Sequence, residues 1–203
     1  MLHRIASIAL LCVVTALPAA MPAQTQTAPA ASTPSSPSKS LDAVQLLVEK
    51  DWMGLAEAMP ADKYDFAPSV AEFKTLKPNY TGVRTFGQEI AHVAAVNFSF
   101  AAAVSGTKPV VDTKLISTQF DKATAYKNLA DSFAALHTAI ATLTPENSWE
   151  TVKTPGNTRA GTIAYNFGHQ RDHYGQLVEY LRMCGMVPPA SQNAPLANPN
   201  KKS

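Results

Sequence analysis

Apolar residues recur every three or four positions along four stretches of the chain, with polar residues between them. In the first, residues 41–59, Leu41, Val44, Val48, Trp52, Leu55 and Met59 make one stripe, the mark of an amphipathic helix. Ser40 offers an N-cap, Asp42 falls in the first turn, and Pro60 stops the helix. The second stretch, 85–105, carries Phe86, Ile90, Val93, Asn97, Phe100 and Val104 and ends at Gly106. The third, 117–143, runs through Phe120, Tyr126, Leu129, Phe133, Leu136, Ile140 and Leu143 at a spacing suited to bundle packing. The fourth, 158–184, has Ile163, Phe167, Leu177 and Leu181, with Gly185 and then Pro188-Pro189 forbidding continuation. Between the first two, residues 61–83 hold two prolines and several aromatics, which predicts a packed loop with a short helical turn near 70–74. No run alternates β-branched and polar residues as a strand would. The pattern predicts an all-α fold, four helices in one bundle.

The chain ends break this pattern. Residues 1–23 have a basic Arg4, an apolar run over 5–17, then Pro18 and small residues, the plan of a secretory signal cleaved after Ala20 or Ala23. An uncleaved anchor is the alternative, but the run of about 13 residues falls short of the roughly 20 that span a bilayer. Leu10 and Leu11 before Cys12 do not make a lipoprotein motif. Residues 24–39 and 187–203 are rich in Pro, Ser, Ala and Asn or Thr and read as a tether and a flexible tail, with too little apolar surface to offset ordering entropy. One domain over 40–186 remains, and the expected location is periplasmic or secreted, with no membrane span after cleavage.

Charge and cysteines narrow the function. The net charge of +2 in 203 residues comes with no basic stripe, so nothing favours a nucleic-acid partner. Without the signal, Cys184 is the last cysteine; no intramolecular disulfide can form, and the core must supply the stability. Cys184 reads as a packed helix-end thiol, since nothing in its local sequence lowers its pKa.

The histidines carry the candidate chemistry. His169 and His173 are an i, i+4 pair, so both imidazoles leave one helix face, together with Asn166, Leu177 and Tyr180. His92 lies mid-helix on the second stretch, beside the stripe residue Val93. Three imidazoles from two inward-facing helices can hold a divalent ion and leave a coordination place for water or substrate; zinc, nickel, iron or manganese would accept them. The same spacing equally fits imidazoles that only fill a core edge. Gln170 stands where a zincin helix has its catalytic glutamate. His137 falls one residue off its stripe, at the surface or bundle edge. Glu89, one turn before His92, and Asp172 and Gln176 are candidates to orient an imidazole. Trp52 and Tyr64 are either core or the mouth of a pocket. No catalytic base stands out.

The stretch FGHQRDHYGQLVEYLRMCGMVPP resembles the last helix of the DinB-like superfamily, with its H-x-x-x-H, and VRTFGQEIAHVAAVNFSF resembles the helix that supplies a single histidine. LVEKDWMGLAEAMPADKYDFAPS is similar to the family's opening helix and the loop after it, so the resemblance spans residues 41–189. It implies an up-down-down-up four-helix bundle with His92, His169 and His173 at one metal site and His137 outside it. It also suggests homodimers. Some members are metal-dependent transferases that act with a low-molecular-weight thiol, or related isomerases and hydrolases. An export signal departs from the family, and it weighs toward hydrolysis, which needs only metal and water. Two readings follow: a metal-dependent hydrolase or transferase on a small molecule, with zinc or nickel first among the metals, or a non-catalytic bundle stapled by its ion.

Overall fold

Pro37 sets the start of the first helix, four residues before the expected Leu41. The computed structural model describes residues 35–72 and 74–192; the signal segment 1–23, Cys12, most of the tether and residues 193–203 lie outside them. Helix α1 spans Pro37–Ala58, and Ser36 rather than Ser40 caps it, its hydroxyl accepting from the Lys39 N–H at 3.2 Å. Proline at the first helical position costs no hydrogen bond and presets φ, so the helix reaches three residues into the stretch read as tether. Asp42 consequently sits past the first turn.

Helix α2 spans Phe86–Ser105 and begins on a capping box: Thr85 accepts from the Gln88 N–H while the Gln88 side chain accepts from the Thr85 N–H. It ends on Gly106, whose φ of +69° is the left-handed conformation glycine adopts without strain. Helix α5 spans Arg159–Met183 between a Thr158 N-cap and Cys184, within a residue of its predicted bounds. The loop after α1 contains short 3-10 turns at Ala61–Lys63 and Val70–Glu72.

The third stretch becomes helical only at Lys122, and its first five residues, 117–121, are not helical. A single turn, α3 at Thr113–Ile116, is capped by Asp112, and α4 at Lys122–Ala141 starts afresh on Asp121, whose side chain accepts from the Thr124 N–H. Two aspartate caps outcompete continuous helix here, so Phe120 leaves the stripe and is 44 % exposed. The break lets the Phe120 carbonyl lie against the first turn of α2: a Cβ on Gly87 would stand 2.1 Å from that oxygen. The last helical turn, α6 at Pro189–Gln192, packs on α1 with Pro189 against Gly54; part of the expected tail is therefore ordered.

Helix α2 packs against α4 and α5, and α1 covers the same two helices. Val48, Trp52, Leu55, Phe86, Ile90, Val93, Leu129, Phe133, Leu136, Ile140, Ile163, Leu177 and Leu181 fill the centre, each buried side chain contributing about 1.5–3 kcal/mol. The first stripe shifts at its start: Val44 is 42 % exposed while Gln45 is buried. Among the described residues the only β pairing is an isolated bridge between Thr151 and Thr158, and no helix is long and apolar enough to cross a membrane. The protein is an all-α helical bundle.

Candidate metal centre

Helices α2 and α5 bring His92, His169 and His173 together. One ligand atom from each lies within 4.8 Å of the others, and the three form the group of metal-ligating side chains that the described residues assemble. Nε2 of His92 faces Nε2 of His169 at 3.2 Å. Nitrogens about 2.05 Å from a tetrahedral ion sit about 3.3 Å apart, so this pair already has the spacing of neighbouring ligands. The rings meet edge to face, with centroids 4.5–5.2 Å apart.

Burial sets their charge. It pushes His92 down to about 4, helped by the nearby Arg84 and His173 charges and opposed by Glu89. Burial likewise takes His169 to about 4, with His173 and His92 adding to it. Both imidazoles are thus neutral near pH 7 and keep a lone pair for a ligand, as a nitrogen donor set requires.

Glu89 is 2 % exposed and lies behind the triad. Its Oε2 stands 2.7 Å from His173 Nδ1, close enough for a hydrogen bond, although the ring N–H is not aimed squarely at it. Its Oε1 stands 3.4 Å from Arg84 Nη1. Burial raises the Glu89 carboxyl, but His173 and Arg84 outweigh it and hold the group below the usual carboxylate range. The residue thus stands behind His173 rather than its helix neighbour His92. Helical geometry explains this: an i, i+3 partner shares the face of Glu89, but α5 packs against α2 there and brings the His173 ring within 2.7 Å. His169 Nδ1 is buried with no protein partner among the described residues.

The remaining candidates fall elsewhere. Asp172 and Gln176 are exposed and bond to each other at 3.2 Å. Trp52 is fully buried, edge-on to Tyr174. Tyr64 is buried and donates to the Ala56 carbonyl at 2.7 Å; it also lines a cleft of about 500 Å³ that none of the three histidines touches. His137 is half-buried, and α1 clamps it. Its Nδ1 lies 2.5 Å from Asp42 Oδ1 and its Nε2 2.8 Å from Glu49 Oε2.

Two features went unread in the sequence. One is an amide chain through all four long helices, every member fully buried. Gln45 donates to Gln170 at 3.5 Å; Gln170 and Asn166 both donate to the Asn97 carbonyl oxygen, at 2.9 and 3.0 Å; Asn97 donates to Ser132 at 3.1 Å. Asn97 on an apolar stripe was the available signal. The other is a cleft of about 430 Å³ at the triad, lined by Arg84, Gln88, His92 and Ser117. Ser117 reaches it as the C-cap of α3, where periodicity predicts the start of a long helix.

No curated protein gives a significant match to the chain. The family model of the DinB superfamily matches residues 46–177, which include α2, the triad and most of α5. Over more than half its length, with the helical bundle and the histidines in place, this chain belongs to the DinB superfamily.

Proposed function

We propose that this protein is an exported metal-dependent enzyme, a hydrolase or transferase on a small molecule, in which His92, His169 and His173 hold one divalent ion. The observation that carries the reading is the triad itself: two Nε2 atoms 3.2 Å apart and a third imidazole within 4.8 Å, on two packed helices. Neutral nitrogens in a half-buried setting fit zinc or nickel best, with iron or manganese compatible. Bound there, such an ion supplies Lewis acidity toward a substrate oxygen or thiol.

The chain's own residues do the rest. His92 and His169 stay unprotonated, so no proton competes for their lone pairs near neutral pH. Glu89, with Oε2 2.7 Å from Nδ1 of His173, is placed to orient that ring and to make its other nitrogen more basic. Arg84 steadies Glu89 from outside. The cleft at His92 gives a small molecule a way in, which favours an enzyme over the alternative of a purely structural staple. Export rests on the plan of residues 1–23.

The test loads the mature protein with zinc or nickel and screens ester, amide, phosphoester and thiol-transfer substrates, wild type beside His173→Ala. The expected result is turnover that requires the metal and disappears in the variant while helicity by circular dichroism persists. Metal binding without turnover on any class would leave the staple reading. Undiminished turnover in His173→Ala would remove the triad from the reaction.

A further inference from the structure

The cleft beside the triad has a particular chemistry. All four lining residues, Arg84, Gln88, His92 and Ser117, are polar, and no carboxylate is among them. The Arg84 side chain is 45 % exposed, and its one ion-pair contact, at 3.4 Å to Glu89, occupies one of five guanidinium N–H groups. Its backbone is fixed from both sides. The Tyr180 hydroxyl of α5 donates to the Arg84 carbonyl at 3.1 Å, and the next residue is the N-cap of α2. Gln88 spends its side-chain oxygen on the Thr85 N–H, so its NH₂ group is the part left to donate. The first-turn N–H groups of α2 are already spent on the Phe66 and Tyr64 carbonyls and on Thr85, so the two side chains are the cleft's donors.

A guanidinium with uncommitted N–H groups and an amide donor beside it together match an oxyanion. We propose that this cleft binds the carboxylate or phosphate group of a small-molecule substrate, anchored by Arg84, and so holds the rest of that molecule beside His92. The inference rests on the triad as the reaction centre and names the class of substrate it takes: anionic small molecules, in preference to neutral or apolar ones. Glu89 gives Arg84 a second role, because the carboxylate behind it and the anion in front share one guanidinium. Arg84 thereby links substrate binding to the residue that orients His173.

Inorganic phosphate and acetate are the probes, titrated separately into the metal-free full chain and followed by NMR of the Arg84 Nε–H and Gln88 side-chain amide. Phosphate should shift both signals, and Arg84→Gln should weaken its binding by about ten- to a hundredfold, the worth of a hydrogen bond to a charged group. Arg84→Lys, which keeps the charge but not the fork, should fall between. Ser117→Asp, placing a like charge on the opposite wall, should also weaken binding without touching Arg84. Phosphate affinity unchanged in Arg84→Gln and Ser117→Asp, or shifts confined to residues outside the cleft, would overturn the proposal. The titration contains no metal, so its outcome is separate from that of the metal reading.

Discussion

Two histidine sites lie on this bundle, and they treat the same side chain in opposite ways. His137 stands between two carboxylates, one at each ring nitrogen. Both nitrogens must donate to satisfy them, so the ring is held as a cation. Burial works against this, but the bonds to Asp42 and Glu49 win and raise its pKa. At the triad the nearest neighbours of His92 and His169 are other imidazoles and Arg84, and burial prevails over the weaker pull of Glu89, down to about 4. One site makes a charged latch between α1 and α4; the other keeps lone pairs for a ligand. Surroundings, not residue type, decide which histidines can bind metal.

The largest effect expected from separating the two regions lies in the polar chain that ties α2 to α5. Asn97→Leu strands the buried side-chain N–H groups of Gln170 and Asn166 that donate to it, and should cost about 2–4 kcal/mol in urea unfolding. It should weaken metal binding as well, because α2 and α5 carry the triad between them, and leave the His137 latch intact. A loss under about 0.5 kcal/mol would mean the network is dispensable. Next comes Glu89→Gln, which keeps shape but loses charge. Metal affinity, by competition with a chromophoric chelator, should drop about 10- to 100-fold; an unchanged affinity would deny Glu89 its orienting role.

The smallest effect is at His137. The latch is partly solvent-exposed, so His137→Asn should cost only about 0.5–1 kcal/mol. Its pH dependence carries more information. A raised folded pKa means the folded state holds the proton longer, so the latch is fully present below about 6.5, the unfolded value. It fades as pH rises through the folded pKa. The wild-type advantage over His137→Asn should therefore be greatest on the acid side and vanish in alkali. The triad of the metal-free protein has the reverse slope. There the unfolded chain binds protons first, so stability falls as pH drops from about 6.5 toward 4. Chemical unfolding across pH 4–8 would show both, and a latch that strengthens with pH would reverse the assignment.

Much of this was legible because the relevant forces are local. Thr85 with Gln88, Gly106, Thr158 and the three-four spacing of α2 and α5 fix helices whose ends and faces the chain spells out. The i, i+4 placement of His169 and His173 is a property of one helix, and so was readable. What escaped depends on packing across helices. Glu89 meets His173 because α5 crosses α2 there, and spacing along α2 could only suggest His92. His137 looked like a bundle-edge residue because Asp42 and Glu49 lie 95 and 88 positions away in sequence. Likewise Ser117 lines a cleft because it caps α3 and the third long helix begins only at Lys122.

Metal analysis tests the central claim most directly. Wild type, His169→Ala and His137→Ala would be reconstituted with zinc or nickel, desalted and measured by elemental analysis. The account predicts about one equivalent in wild type and in His137→Ala, as a single three-nitrogen site requires, and none in His169→Ala with helicity kept. A full equivalent retained by His169→Ala, or none in wild type after reconstitution, would contradict it.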